Sequence, residues 1–196
     1  MGKVHEHIDD RMRAWLLAQH VFFVATAPSG AEGRVNVSPK GVGGTFAVLD
    51  ERTVAYVDLT ASGSETIAHL RENGRVTLMF CAFEGPPDIV RLHGHGRFVT
   101  LYDEGFEDLL ARFDGGLDES QGARAVVVVD VERVSDSCGY GVPLMEHRGE
   151  RDLLPQFMAR KGVEGRAAYR RQKNRTSIDG LPGFDMDPEA DADPAG

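Results

Sequence analysis

Between residues 21 and 134 the chain returns again and again to short runs rich in β-branched and aromatic residues, and most of them follow one another with no helix between. "VFFVATA", "RVNVS", "TFAVL" and "TVAYVDL" come first, separated by Gly, Pro, Asp and Glu-Arg turns, and they read as an antiparallel meander. "RVTLMFCAF", "DIVRLHGHGRFVT" and "ARAVVVVDVERV" follow, the last as a buried strand. Strands that neighbour one another in this way disfavour a parallel doubly wound sheet. Six or seven strands with few helices predict a mainly β fold, an antiparallel barrel with short flanking helices.

The helical signals are few. Ile8, Met12, Trp15 and Leu16 fall at helical spacing behind Asp9 and Asp10, which predicts a helix over 8–19. Ser62 with Glu65 has the form of a capping box, Ile67 and Leu70 supply the apolar face, and Gly74 stands where that helix should end. "EGFEDLLARF" reads as a third helix. Beyond residue 138 the chain turns loop-like, then helical from about Arg151 to Asn174. The barrel domain is therefore expected over 1–137, and an extension packing on the barrel or on a dimer partner over 138–182. Residues 183–196, acidic and Pro-containing, are expected to form a disordered tail.

Charge and composition exclude several classes. A formal charge of −9 over 196 residues is the wrong sign for a general nucleic-acid or anionic-membrane partner. No apolar stretch approaches the roughly 20 residues needed to span a bilayer, and the N-terminal residues lack the apolar run of a secretory signal, so a cytoplasmic location is expected. The spacing of the 2 cysteines, Cys81 and Cys138, fits neither a zinc site nor a disulfide framework, so both are expected reduced. Arg166, Arg170 and Lys173 share one helical face, either as a solvated stripe or as a basic patch reaching a phosphate across a dimer interface.

Several motifs invite a ligand. The glycines of "GVGGT" and "HGHGR" do not lead from a strand into a helix, so they are read as turn or bulge positions rather than a dinucleotide fingerprint. His93 and His95 are two apart on a strand but lack a third ligand, and no metal site is expected. "TASGSET" lies between a strand and a helix and offers hydroxyls at an N-terminus, where free amides favour an anion. In "RVNVSPKG", alternation puts Val35 and Val37 on one face, open to being core, and Arg34, Asn36 and Ser38 on the other. Pro39 then removes a ladder donor, which confines the strand to an edge and leaves Lys40 beside unpaired backbone.

The segments "FFVATAPSGAEGRVNVSPKG", "VAYVDLTASGSETIAHLRENGRVTLMF" and "RLHGHGRF", in that order from about Val21 to Val134, resemble the pyridoxamine 5′-phosphate oxidase-related family, the flavin mononucleotide (FMN)-binding split barrels. The resemblance implies a split, Greek-key-like β-barrel and a homodimer with cofactor sites at its interface. It implies a cytoplasmic, FMN-dependent oxidoreductase acting on a small molecule, with neither nucleic acid nor membrane as partner. It lays Asn36, Val37, Ser38, Pro39 and Lys40 along the flavin and brings Thr60, Ser64 and Thr66 to its phosphate, with Arg91 nearby. No residue is assigned as catalytic acid or base.

Two departures qualify this. Where the family has Ser-Arg-Lys at the phosphate, this chain has Ser64, Glu65 and Thr66, so two positive charges are missing and Lys40 and Arg91 are the candidates to replace them. The C-terminal "SIDGLPG" lacks the arginine with which true pyridoxamine phosphate oxidases reach their substrate, which points away from vitamin B6 oxidation. The alternative reading is a non-catalytic dimeric module binding flavin, the deazaflavin F420, or haem through His93 or His95. A ligand-free scaffold is a third.

Overall fold

The computed structural model describes residues 2–184. Its strands are β1 (Val4–His5), β2 (Phe22–Thr26), β3 (Asn36–Lys40), β4 (Phe46–Val48), β5 (Thr53–Leu59), β6 (Arg75–Cys81), β7 (Ile89–Thr100) and β8 (Ala123–Ser137). Its helices are α1 (Asp10–Leu17), α2 (Glu65–Asn73), α3 (Phe106–Leu110) and α4 (Leu153–Lys173). All eight strands form one antiparallel sheet in the order β3-β2-β6-β7-β8-β5-β4, with β1 added on β8. β6 and β7 form a hairpin, β7 reaches its neighbour β8 through the connection that carries α3, and β5 lies back beside β8, a Greek-key arrangement in a sheet that curls into a split barrel.

The first four main strands are not a single meander, as their succession predicts. β2 pairs with β3 and β4 pairs with β5, but the two hairpins sit at opposite ends of the sheet. Pro39 is accommodated because β3 is an edge and its outer side needs no donor.

Inside the curl, Phe22, Phe46, Tyr56 and Phe80 pack with ring centroids 4.9 to 5.7 Å apart. β8 is covered on both faces: Val127, Val129 and Val131 join this core, while Val126 and Val128 pack with Phe106 and Leu110 of α3. That double burial explains the uninterrupted valine run. Helix α1 begins two residues later than its apolar spacing predicts, because Asp9 caps it by accepting from the Met12 amide at 2.7 Å. Gly94 marks a bulge in β7, and a Cβ there would lie 2.0 Å from the Asp130 carbonyl oxygen.

The C-terminal segment turns back onto the barrel. Gly162 (φ 67°, ψ 174°) breaks α4 into two helical pieces. The second presents Arg166 and Arg170, both about 3% exposed, to Glu119. Those arginines therefore form neither a solvated stripe nor a patch toward a second copy, because Glu119 draws them inward; Lys173 is exposed. Gly183 and Phe184 are not tail: Gly183 donates to the Arg175 carbonyl at 2.8 Å, and Phe184 is 2% exposed in the main core. The rest of the expected disordered tail, 185–196, lies outside the described residues.

Glu119→Gln should leave two buried guanidiniums without a counter-charge. We expect it to cost about 2–3 kcal/mol, the low end for an abandoned buried ion because Glu119 keeps an edge toward water. Urea unfolding checks the magnitude, and proteolysis within 153–173 should accelerate.

Candidate functional site

Three charged side chains from strands far apart in sequence meet where the curled sheet faces itself. The Lys40 ammonium, at the end of β3, donates to Asp58 Oδ1 at 2.8 Å, and Arg124 Nε, near the start of β8, donates to Asp58 Oδ2 at 2.7 Å. Arg124 Nη2 also donates to the Gly63 carbonyl at 2.9 Å, which ties β8 to the loop before α2. Burial pushes the Asp58 carboxyl up, but Arg124 first and Lys40 next outweigh it and bring its pKa down to about 2. The buried aspartate is thus held ionised between two cations.

Beside this triad is a cavity of about 270 Å³ lined by Ser38, Pro39, Lys40, Asp58, Arg124 and the loop from Leu59 and Ala61 to Thr66. That is below the roughly 300–1,000 Å³ of sites that enclose a drug-sized ligand, so it suits one polar end of a larger molecule. Ser64 occupies the N-cap position of α2 but makes no side-chain capping bond. The capping box expected from Ser62 and Glu65 is absent: α2 starts at Glu65 with Ser64 before it, so Glu65 is the first helical residue rather than the third, and its Oε1 accepts from the Ile178 amide at 3.3 Å, a contact across 113 residues. Four buried polar atoms close to this helix start have no hydrogen-bond partner among the described residues: Thr60 Oγ1, Ser64 Oγ, Arg124 Nη1 and Asn174 Oδ1. Asn174 belongs here because its Nδ2 donates to the Ala61 carbonyl at 2.8 Å.

Of the residues singled out in the sequence, Ser38, Pro39, Lys40, Ser64 and Thr66 line this cavity. Thr60 lies buried next to it. Asn36 stands behind Thr66, donating to its hydroxyl at 3.1 Å and accepting from Ser38 at 3.0 Å. Val37 is 60% exposed and Val35 71%, so the apolar face of β3 points outward and the polar face inward, the inverse of a valine core. Arg91 is not at the cavity: it sits on β7 and donates to Ser137 Oγ at 3.1 Å. The guanidinium that does line the cavity is that of Arg124, which sequence reasoning missed along with Asp58. The available signal was a charged residue, Arg124, set directly before the apolar run 125–129 near the start of β8.

His93 and His95 line a separate hollow of about 420 Å³ with Thr26, Arg75, Thr77 and Glu132. His95 Nδ1 lies 3.0 Å from Glu132 Oε1, while His93 Nδ1 is buried without a partner. Burial, with Arg133 and Arg91 nearby, holds the His93 pKa below the usual value. Cys81 is buried and Cys138 exposed, both as free thiols. Among the described residues no helix is long and apolar enough to cross a membrane.

Residues 8–138 match the family model described as pyridoxamine 5′-phosphate oxidase. The chain is 42% identical over 196 aligned residues to the pyridoxamine 5′-phosphate oxidase family protein ustO of Aspergillus flavus, covering 92% of this chain and 77% of that one. The chain belongs to the pyridoxamine 5′-phosphate oxidase family. Among solved structures it is similar to an FMN-binding protein of Syntrophomonas wolfei (TM-score 0.46, 15% identity, 69% of this chain and 85% of that one). It is also similar to an FAD-binding protein of Mycobacterium smegmatis (TM-score 0.43, 17% identity, 67% and 95%).

The triad carries a pH dependence whose sign follows from the depressed pKa. A carboxyl at about 2 when folded, against about 3.9 when unfolded, stabilises the fold fully above pH 4 and loses that contribution as pH falls through 2. Asp58→Asn should cost about 3–5 kcal/mol at pH 7 by leaving both cations unpaired. Its deficit against the native chain should shrink between pH 4 and pH 2, as read by urea midpoints.

Proposed function

We propose that the protein is a flavin-dependent oxidoreductase that binds FMN with the phosphate at the start of α2 and acts on a small molecule other than pyridoxamine phosphate. The observation that carries this reading is the cluster of unpartnered buried donors, Thr60 Oγ1, Ser64 Oγ and Arg124 Nη1, beside an uncapped helix N-terminus. Each orphaned polar group is destabilising by about 1–3 kcal/mol unless a ligand or water pairs with it. A phosphate accepts from several such donors at once, and helix amides favour its charge.

The missing Arg-Lys pair leaves a modest electrostatic field. Lys40 and Arg124 supply two positive charges, Asp58 and Glu65 return two negative ones, and all four line the cavity. The phosphate is therefore held chiefly by hydroxyls, amides and the free edge of one guanidinium, with Asp58 fixing that guanidinium's orientation. A bound flavin supplies a ring that accepts or donates a hydride. The chain's own part is placement: Ser38 and Pro39, at the mouth of the cavity, set the edge along which the ring lies.

A homodimer fits this reading. β3 is an edge strand, its Val37 and the preceding Val35 are exposed, and a second copy covering them would withdraw apolar surface from water.

Titrating the purified protein with FMN should give saturable quenching of flavin fluorescence. Ser64→Ala, which removes one donor and no capping bond, should weaken FMN about ten- to a hundredfold and leave riboflavin, which lacks the phosphate, unchanged. Equal losses for both ligands would remove the phosphate assignment, and absence of binding to FMN and FAD alike would remove the flavin.

A further inference from the structure

Far from the phosphate cavity, the link between α1 and β2 and the irregular segment between β8 and α4 bring together three side chains with metal-ligating atoms. His20 comes from the link, and His147 and Glu150 from the segment. One ligand atom from each lies within 4.8 Å of the other two, and all three residues are exposed. The imidazoles of His20 and His147 stack with centroids 3.6 Å apart and planes 12° from parallel. His147 Nε2 is 3.6 Å from Glu150 Oε1.

We infer that His20, His147 and Glu150 form a binding site for a divalent transition-metal ion of the zinc class, which fastens the 138–152 segment to the barrel. In a tetrahedral site with bonds of about 2.0–2.1 Å, ligand atoms stand roughly 3.3–3.5 Å apart. The His147–Glu150 separation is already close to that, and the remaining adjustment is a rotation of the exposed His20 and His147 rings out of their stack so that a nitrogen of each points at the ion. Two imidazole nitrogens and one carboxylate oxygen suit zinc, cobalt or nickel, whereas calcium and magnesium take oxygen ligands throughout. Three protein ligands leave a fourth position for water.

The surroundings give the ion a structural task. The segment lacks helix or strand, and near the site its main chain is anchored by Met145 N donating to the Phe83 carbonyl and His147 N donating to Glu84 Oε1, each at 2.9 Å. Leu144 and Met145 beside them are 80% and 53% exposed. An ion held jointly by the link and the segment would add a cross-connection where hydrogen bonds are few. His20 also lines two cavities, one of about 620 Å³ shared with His147 and one of about 230 Å³ shared with Glu150 and reaching Lys40. The ion would therefore stand between them, with its open position accessible.

The test uses the untagged full chain titrated with zinc chloride by calorimetry, alongside His20→Ala, His147→Ala and Glu150→Gln. His95→Ala controls for a histidine-carboxylate pair elsewhere on the surface. We expect one ion per chain, affinity lowered at least about tenfold by each of the first three changes and unaltered by His95→Ala, and zinc-dependent protection of the 138–152 segment from proteolysis. Because the three residues are exposed, the variants should keep the native melting temperature without metal. Absence of saturable binding, or stoichiometric binding that survives both His20→Ala and His147→Ala, would overturn the site. Neither outcome depends on whether the protein binds flavin.

Discussion

A single buried carboxylate spans the split in this barrel. β3 lies at one end of the hydrogen-bonded order and β5 next to the other end, with four strands between them, yet Lys40 of β3 reaches Asp58 of β5 directly. Backbone pairing does not close the barrel, so this ion pair and its extension to Arg124 join the two ends. Because Asp58 is 1% exposed, its charge is tolerable only with both partners in place, and the curl of the sheet and the ionisation of the aspartate support each other. The same contacts fix where Lys40 and Arg124 sit, so the geometry of the cavity follows from the closure of the fold.

Local pattern made the strands legible and left their assembly hidden. Period-two alternation shows which residues of "RVNVSPK" share a face but not which face is turned inward, and the choice went to Asn36, Ser38 and Lys40 because their partners await them inside. Pro39 correctly marks an edge. That β3 and β4 would part company, each with its own hairpin, depends on long-range pairing with β6 and β8 that no window around residues 35–50 contains. The Ser62–Glu65 box failed because the helix starts two residues later than the motif implies, with Ser64 rather than Ser62 at the N-cap position, and Glu65 bonds instead to Ile178.

Arg124 illustrates the limit on reading a site from sequence. Resemblance directs attention to motif positions, and at those positions this chain has lost its Arg-Lys pair. The guanidinium that lines the cavity comes from β8, 66 residues from Asp58, at the head of a run whose apolar character marks it as core. The C-terminal segment enters the same region: a Cβ on Gly183 would lie 2.3 Å from Ser64 Oγ, and the Arg124 guanidinium stacks 5.7 Å from the Phe184 ring. Residues assigned by composition to a tail thus roof the polar cluster and keep water from it.

That roof bears on why the cluster is worth its cost. Polar atoms without partners are rare inside proteins, and here Thr60, Ser64, Arg124 and Asn174 gather around one helix start. Scattered, they would be separate defects; gathered, the Thr60 and Ser64 hydroxyls and Arg124 Nη1 amount to a preorganised set of donors whose desolvation penalty is already incurred in folding, with Asn174 Oδ1 the one acceptor among them. An anion entering such a place recovers hydrogen bonds without reorganising the protein around it. With the formal charges of Lys40, Arg124, Asp58 and Glu65 cancelling, selectivity falls to the direction and number of these donors. A loss of charge at the motif is thereby compatible with retention of the ligand's phosphate, provided the donors stay buried beneath Gly183 and Phe184.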